Sequence, residues 1–300
     1  MPAAQLEDRA VIAVAGPEAR GFLQGLITND VEKLASGKGL YAALLTPQGK
    51  IVVDFIVAEA PAEDGGGFFL DCPRALAPAL VEKLKFYKLR AKVTVEDLSE
   101  ALGVMAVWDG QNSDNAESDY GLCYADPRLA ALGSRIILPP AVAAEAAKDL
   151  GATLVGADAY DAHRIWLGVP RGGSDFSYGD TFPHEADMDQ LAGVDFGKGC
   201  YIGQEVVSRV EHRAMARNRV VPIAFDQFAP IPGLPVTAGD TALGMIGSAS
   251  NGRGLALLRL DRVGEALESG TPIICGGIAI ELIKPDWATF AWPAGTKAAS

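Results

Sequence analysis

One cysteine, set between two glycines and running straight into a helix-forming stretch, constrains this chain more than any other segment. The stretch reads Lys198-Gly199-Cys200-Tyr201-Ile202-Gly203-Gln204-Glu205. Gly199 and Gly203 carry no Cβ, so the backbone there is free to bend tightly or to approach another group closely. Beyond Gly203 the apolar residues Val206, Val207 and Val210 recur at helical spacing, which predicts a helix over 203–213. Cys200 then stands just ahead of a helix N-terminus, with the Lys198 ammonium close by in sequence. Both features favour a thiolate. The residues alone leave the blander alternative open, because an isolated cysteine is often a small buried apolar side chain.

Composition narrows the function classes. A length of 300 residues allows two domains, and 49% hydrophobic with 21% charged residues is an ordinary globular balance. No apolar run reaches the roughly 20 residues of a membrane span. Cys72, Cys123, Cys200 and Cys275 are scattered, and no two form a Cys-x-x-Cys pair. That spacing argues against a disulfide framework, a zinc ribbon or a resident iron–sulfur cluster. His163, His184 and His212 show no metal-ligand spacing either, so no metal site is expected. A net charge of −12 opposes non-specific nucleic-acid binding. From Lys198 to Arg219, however, five basic residues face two acidic ones. That excess suits either an anion pocket or a solvated helix face. The first nine residues lack the pattern of a secretory or mitochondrial leader, which places the expected protein in the cytoplasm.

Along the chain, 9–15 reads as a strand, followed by a short helix with Phe22, Leu23 and Leu26 on its buried side. The apolar runs 40–45 and 51–57, joined by Thr46-Pro47-Gln48-Gly49-Lys50, read as a β-hairpin. Asp54 is the only charge in the second run. It needs a partner or a cleft if buried, or it faces solvent on a half-exposed sheet. A strand at 67–71, a helix at 73–89 and strands at 91–95 and 102–108 follow, then a polar loop over 109–119. A strand at 135–138 and helices at 140–150 and 157–167 complete an α+β region with ferredoxin-like sheets. Beyond Arg219 the character changes. Strand-like runs at 220–225, 241–249, 253–260 and 273–282, separated by Gly and Pro turns, predict a small C-terminal β-barrel or sandwich. The expected domains are thus 1–218 and 219–300, with a frayed tail over 289–300.

The octapeptide 198–205 resembles the signature of the YgfZ family, folate-binding proteins that support maturation or repair of iron–sulfur proteins. That family shares its fold with the T-protein, the aminomethyltransferase of glycine cleavage. Phe22-Leu23-Gln24-Gly25, Thr28-Asn29-Asp30-Val31, Thr46-Pro47-Gln48-Gly49-Lys50, Tyr87-Lys88-Leu89-Arg90 and Phe182-Pro183-His184-Glu185-Ala186 carry the same resemblance along most of the chain. It implies a T-protein-like folate-binding domain and a tetrahydrofolate ligand, or a one-carbon derivative of it. Its implied partners are iron–sulfur proteins or their assembly factors. By the same resemblance Cys200 and Lys198 form the reactive or contact pair, and Asp54 stands where T-proteins carry a catalytic aspartate. Asp195, seven positions before Ile202, matches the carboxylate that holds the pterin in T-proteins, and Tyr201, Gln204 and Glu205 are further expected folate contacts. A carboxylate suits that role, since it can accept two adjacent N–H donors of an aminopyrimidinone edge. A turn-forming aspartate is the competing reading of Asp195. Two alternatives stand beside the accessory role. One is folate-dependent aminomethyl transfer with Asp54 as general base or electrostatic group, and it is weakened because 117–125 lacks the Thr/Gly-rich pattern of T-proteins. The other is a pure interaction module.

Overall fold

The computed structural model describes residues 1–300 apart from 36, 63–65, 111–117, 213–215, 227–228, 295–296 and 299–300. Most of the expected polar loop at 109–119, and part of the 289–300 tail, lie outside the described residues. In chain order the first elements are β1 Pro2–Gln5, β2 Arg9–Ala15, α1 Ala19–Gln24, β3 Gly39–Leu45, β4 Ile51–Glu59, β5 Phe68–Pro73 and α2 Ala77–Lys88. Then come β6 Thr94–Asp97, β7 Gly103–Val107, β8 Leu122–Ala125, β9 Ser134–Leu138, α3 Ala143–Asp149, β10 Thr153–Leu154 and α4 Ala157–Trp166. The remainder is α5 Gln204–His212, β11 Asn218–Ala224, β12 Pro235–Ala238, β13 Thr241–Ser250, β14 Arg253–Arg259, α6 Leu260–Glu268, β15 Ile273–Cys275, β16 Ile278–Ala279, β17 Glu281–Lys284 and β18 Lys297–Ala298.

By packing, Met1–Tyr160 with Leu191–Gln204 form one compact unit, and Asp161–Gln190 with Glu205–Ser300 form a second. Long-range pairing places 191–204 with the first unit. The segment 191–204 takes its hydrogen bonds from residues far earlier in the chain, and local pattern does not reveal that.

The first unit contains two five-stranded sheets, ordered β3-β4-β5-β2-β6 and β10-β1-β7-β9-β8. Alternation of β-branched and aromatic residues builds them. Ile12, Val14, Leu44, Phe55 and Leu70 form a core with Leu23 of α1 and with Leu80 and Leu84 of α2. Leu80 and Leu84, one helical turn apart, form the buried face of α2. Under the other sheet, Met105, Val107, Ile136 and Leu138 enclose the small residues Ala143, Ala146 and Ala147 of α3.

Polar groups in this unit's interior are tied together. Asp71 accepts from Arg9 at 2.6 Å, from Arg135 at 2.5 Å and from the Tyr124 hydroxyl at 3.1 Å. Asp126 accepts from Arg128 at 2.7 Å and from Arg135 at 2.9 Å. Since Asp71 sits on β5 and Arg135 on β9, the network fastens one sheet to the other. Burial works against both carboxylates, but the arginines outweigh it and hold each below the usual carboxylate range.

The second unit is built on an eight-stranded sheet, ordered β16-β15-β12-β13-β14-β11-β17-β18. Its core holds Val221, Ile223, Val236, Ile246, Ala256 and Leu258, closed by Leu260, Val263 and Ala266 of α6. The run read as one strand over 273–282 is interrupted. Gly276 and Gly277 take φ of +57° and +83°, which makes a two-residue hairpin turn between β15 and β16. Strand β12 and helix α6 were not expected. α6 follows directly on a strand and has Gly264 at its middle, which hides a periodicity of buried Leu260, Val263 and Ala266. Arg164 of α4 donates to Asp175 at 2.6 Å and to the Ser248 hydroxyl at 2.8 Å, which ties the 171–175 loop to β13.

Candidate functional site

The octapeptide begins with a lysine turned inward. Lys198 Nζ donates to the carbonyls of Gln24, Ile27 and Asn29 at 2.8, 2.7 and 2.8 Å. An ammonium has three hydrogens, and each has an acceptor here. The Tyr201 ring adds a cation–π contact, its centroid 5.1 Å from Nζ. Burial pushes the Lys198 ammonium down to about 8, against the upward pull of Asp30 and Asp195. Burial likewise pushes the Tyr201 hydroxyl up to about 12. Lys198 thus clamps the loop to the turn after α1. That role replaces the expected partnership with the cysteine thiol, because all three ammonium hydrogens are engaged by carbonyls.

The acceptor carbonyls are well placed for a local reason. Thr28 Oγ1 donates to the Gly193 carbonyl at 2.6 Å, and Asn29 Nδ2 donates to the carbonyls of Tyr41 and Ala192 at 2.7 Å each. The Thr28-Asn29-Asp30 turn is therefore stitched both to β3 and to the 191–195 segment. At the far end of the loop, Gly203 has φ +82°, and a Cβ on it would lie 2.6 Å from the Thr46 carbonyl oxygen. The hairpin turn between β3 and β4 and the octapeptide touch there. Only glycine fits, on both steric and conformational grounds.

Between the clamp and this contact stands Cys200, which is exposed, whereas Cys72 and Cys275 are buried and Cys123 is intermediate. Burial pushes the Cys72 thiol up to about 12. Of the described cysteines, Cys200 alone combines exposure with a backbone fixed on both sides.

Asp195 is held at the loop's entry. Its Oδ1 accepts from the Gly197 N–H at 2.8 Å, and its Oδ2 pairs with Lys33. Burial alone would raise it, but the Lys33 hydrogen bond and the Gly197 N–H outweigh burial and hold it below the usual carboxylate range. Asp195 is therefore ionised at neutral pH, and it also forms the expected turn. Asp54 is buried on β4, where its Oδ2 accepts from the Tyr41 hydroxyl at 3.0 Å. Desolvation pushes the Tyr41 hydroxyl well above its usual range, and the Asp54 charge adds to the effect. Tyr41 is the partner that a lone carboxylate in an apolar strand demanded. Tyr201 is buried, Gln204 is partly buried at the start of α5, and Glu205 is exposed and pairs with Arg209 at 2.6 Å. The fold thus brings Asp195, Lys198, Cys200 and Tyr201 into one loop. The Tyr41 hydroxyl and the Thr28–Asn29 turn are the participants that sequence reasoning missed. Their signal, polar residues in the resembling segment 28–31 and at the start of β3, was present but undirected.

This arrangement of domains is recognisable. The description "GCVT N-terminal domain" fits residues 6–115, and "CAF17, C-terminal beta-barrel domain" fits residues 217–290. A GCVT-type α+β domain followed by a CAF17-type β-barrel is the class of protein that the fold defines. The glycine cleavage aminomethyltransferase T from Bartonella henselae superposes over 97% of this chain and 87% of its own, with a TM-score of 0.75 and 18% identity. That likeness concerns fold alone. The mitochondrial iron–sulfur cluster assembly factor IBA57 of Mus musculus is 32% identical over 98% of this chain and 86% of its own length. The Homo sapiens factor is 30% identical over the same shares. In Mycosarcoma maydis the IBA57 homologue is 36% identical over 74% of this chain, which spans 57% of that relative. The chain belongs to the family of the IBA57 iron–sulfur cluster assembly factors.

These relatives are named as mitochondrial proteins, which overturns the cytoplasmic expectation. The first nine residues, on which that expectation rested, were no guide to compartment. Among the described residues, no helix is long and apolar enough to cross a membrane.

Proposed function

We propose that this protein supports iron–sulfur cluster assembly through the exposed thiol of Cys200, with tetrahydrofolate or a one-carbon derivative as the small molecule bound beside it. The observation that carries the reading is the contrast within one loop: Lys198 is locked inward by three carbonyls, while Cys200 two residues later is left facing outward. A thiol on a fixed backbone is suited to engaging a partner's cluster or thiol without ordering a flexible segment first. The relatives' names supply the process, and iron–sulfur proteins or their assembly factors are the corresponding partners.

For the folate, Asp195 fits the demand for an ionised acceptor of two pterin N–H donors. Lys33, 63% exposed at its side chain, is the residue that gives way when those donors arrive. Folate would supply a one-carbon carrier; the chain's own residues bind and orient it. Asp54, hydrogen-bonded to Tyr41, acts electrostatically on that ligand.

The test supplies cells lacking this protein with the wild type or with Cys200→Ala, and assays both an iron–sulfur enzyme and folate-dependent glycine cleavage. The reading expects loss of the first alone. Loss of glycine cleavage with Asp54→Asn, and not of the iron–sulfur enzyme with Cys200→Ala, would reassign the protein to aminomethyl transfer. Calorimetric titration with tetrahydrofolate decides the ligand, and absence of heat removes folate from the account.

A further inference from the structure

The second unit contains a cluster of side chains that the proposed function does not use. His184 Nε2 lies 3.0 Å from Glu211 Oε2, and one ligating atom each of His184, Asp189 and Glu211 lie within 4.8 Å of one another. His184 and Asp189 come from the turn-rich segment after α4, and Glu211 comes from α5. The His184 and Asp189 side chains are 3% and 5% exposed, and that of Glu211 is 44% exposed. Two buried groups and one at the rim therefore converge. All three line a cavity of about 500 Å³, together with Arg219, Phe290 and Trp292.

Arg219 organises this cavity. Its Nη1 and Nη2 donate to the two oxygens of Asp189 at 2.5 and 2.9 Å, and Nη1 also donates to the His184 carbonyl at 2.7 Å. Phe290 covers the guanidinium face at 4.4 Å. With all this engagement, the Arg219 Nε–H still has no acceptor among the described residues, although the residue is only 5% exposed. The Trp292 indole N–H is likewise buried without an acceptor among the described residues. Buried donors are paired in nearly every native protein. Two N–H groups that find no acceptor among the described residues, on side chains lining one cavity, therefore point to an acceptor supplied by a ligand.

An imidazole and two carboxylates at mutual ligand distance suit a first-row divalent cation, whereas calcium and magnesium favour oxygen donors alone. The Arg219 fork on Asp189 is the outer hydrogen bonding that a ligating carboxylate ordinarily has. Three protein ligands would leave coordination positions open toward the cavity. We propose that His184, Asp189 and Glu211 bind one divalent transition-metal ion, and that an oxygen ligand on its open side accepts from Arg219 Nε–H and Trp292 Nε1–H. Sequence spacing could not show this, because Glu211 is distant in the chain from the other two.

The probe is Co²⁺, titrated into the chelator-stripped full chain and followed by visible absorption. The proposal expects one ion per chain, with visible d–d bands and no intense near-ultraviolet thiolate-to-cobalt band. Glu211→Gln, at a half-exposed helix position that the fold tolerates, should weaken binding by at least about tenfold. His184→Gln should do the same, and Cys200→Ser should leave the titration unchanged. Absence of saturable Co²⁺ binding, binding unaltered in Glu211→Gln, or a thiolate band lost in Cys200→Ser would overturn the proposal. So would saturable binding of inorganic phosphate at this cavity with no response to Co²⁺, which would make it an anion site.

Discussion

Two buried charge clusters in this protein are made of the same residue types and are finished differently. In the first unit, Asp71 and Asp126 share Arg9, Arg128 and Arg135, and the Tyr124 hydroxyl completes Asp71. In the second, Arg219 serves Asp189 and Asp187, yet its own Nε and the Asp187 Oδ2 have no hydrogen-bond partner among the described residues. Burial pushes Asp187 well above the usual carboxylate range, and Asp189 adds to that against the opposing pull of Arg219. A saturated cluster holds sheets together and has nothing left to offer a ligand. An unsaturated one carries a standing cost, which a ligand could relieve. The octapeptide shows the same contrast in miniature, with Lys198 saturated and Cys200 exposed.

Breaking the saturated cluster should have the largest effect. Asp71→Ala strands Arg9 and Arg135 in the interior and should cost about 3–5 kcal/mol in denaturant unfolding. An effect below about 1 kcal/mol would mean that the network does not fasten the sheets. Lys198→Met comes next. It leaves three carbonyls without their donor and should cost about 2–3 kcal/mol, with faster amide exchange in the turn at 27–29 as the local signature. Asp195→Asn should have the smallest effect, about 0.5–1 kcal/mol near neutral pH, because its partner Lys33 is largely exposed. Its pH dependence sharpens the assignment. The folded Asp195 lies below its ordinary value, so its contribution is present above the usual carboxylate range and is lost as pH falls through the depressed folded value. The difference between wild type and Asp195→Asn should accordingly shrink on acidification, and a gap independent of pH would remove the ion pair from the account.

Much of the fold was legible in local pattern. The 9–15 strand, the hairpin around Thr46–Lys50 and the helix α2 all follow from periodicity and turn chemistry. The C-terminal sheet was legible from its Gly-spaced runs, while α6 was obscured by Gly264 and by the strand preceding it. Of the site, the exposure of Cys200 was left open against a buried thiol, while a close backbone approach at Gly203 could be read from the octapeptide. The direction of Lys198 could not, because its three acceptors lie about 170 residues away in sequence. The same limit hid Tyr41 from Asp54 and Glu211 from His184. Local physics sets each element, but the partners of a buried polar group are a property of the whole fold.

The central claim is that, of two residues in one loop, Lys198 maintains the structure and Cys200 performs the function. The most direct measurement takes Cys200→Ser through guanidinium unfolding and, in cells depending on it, through an iron–sulfur enzyme assay. The account predicts an unfolding free energy within about 0.5 kcal/mol of wild type together with loss of the enzyme's activity. Full enzyme activity in that variant, or destabilisation as large as that of Lys198→Met, would contradict it.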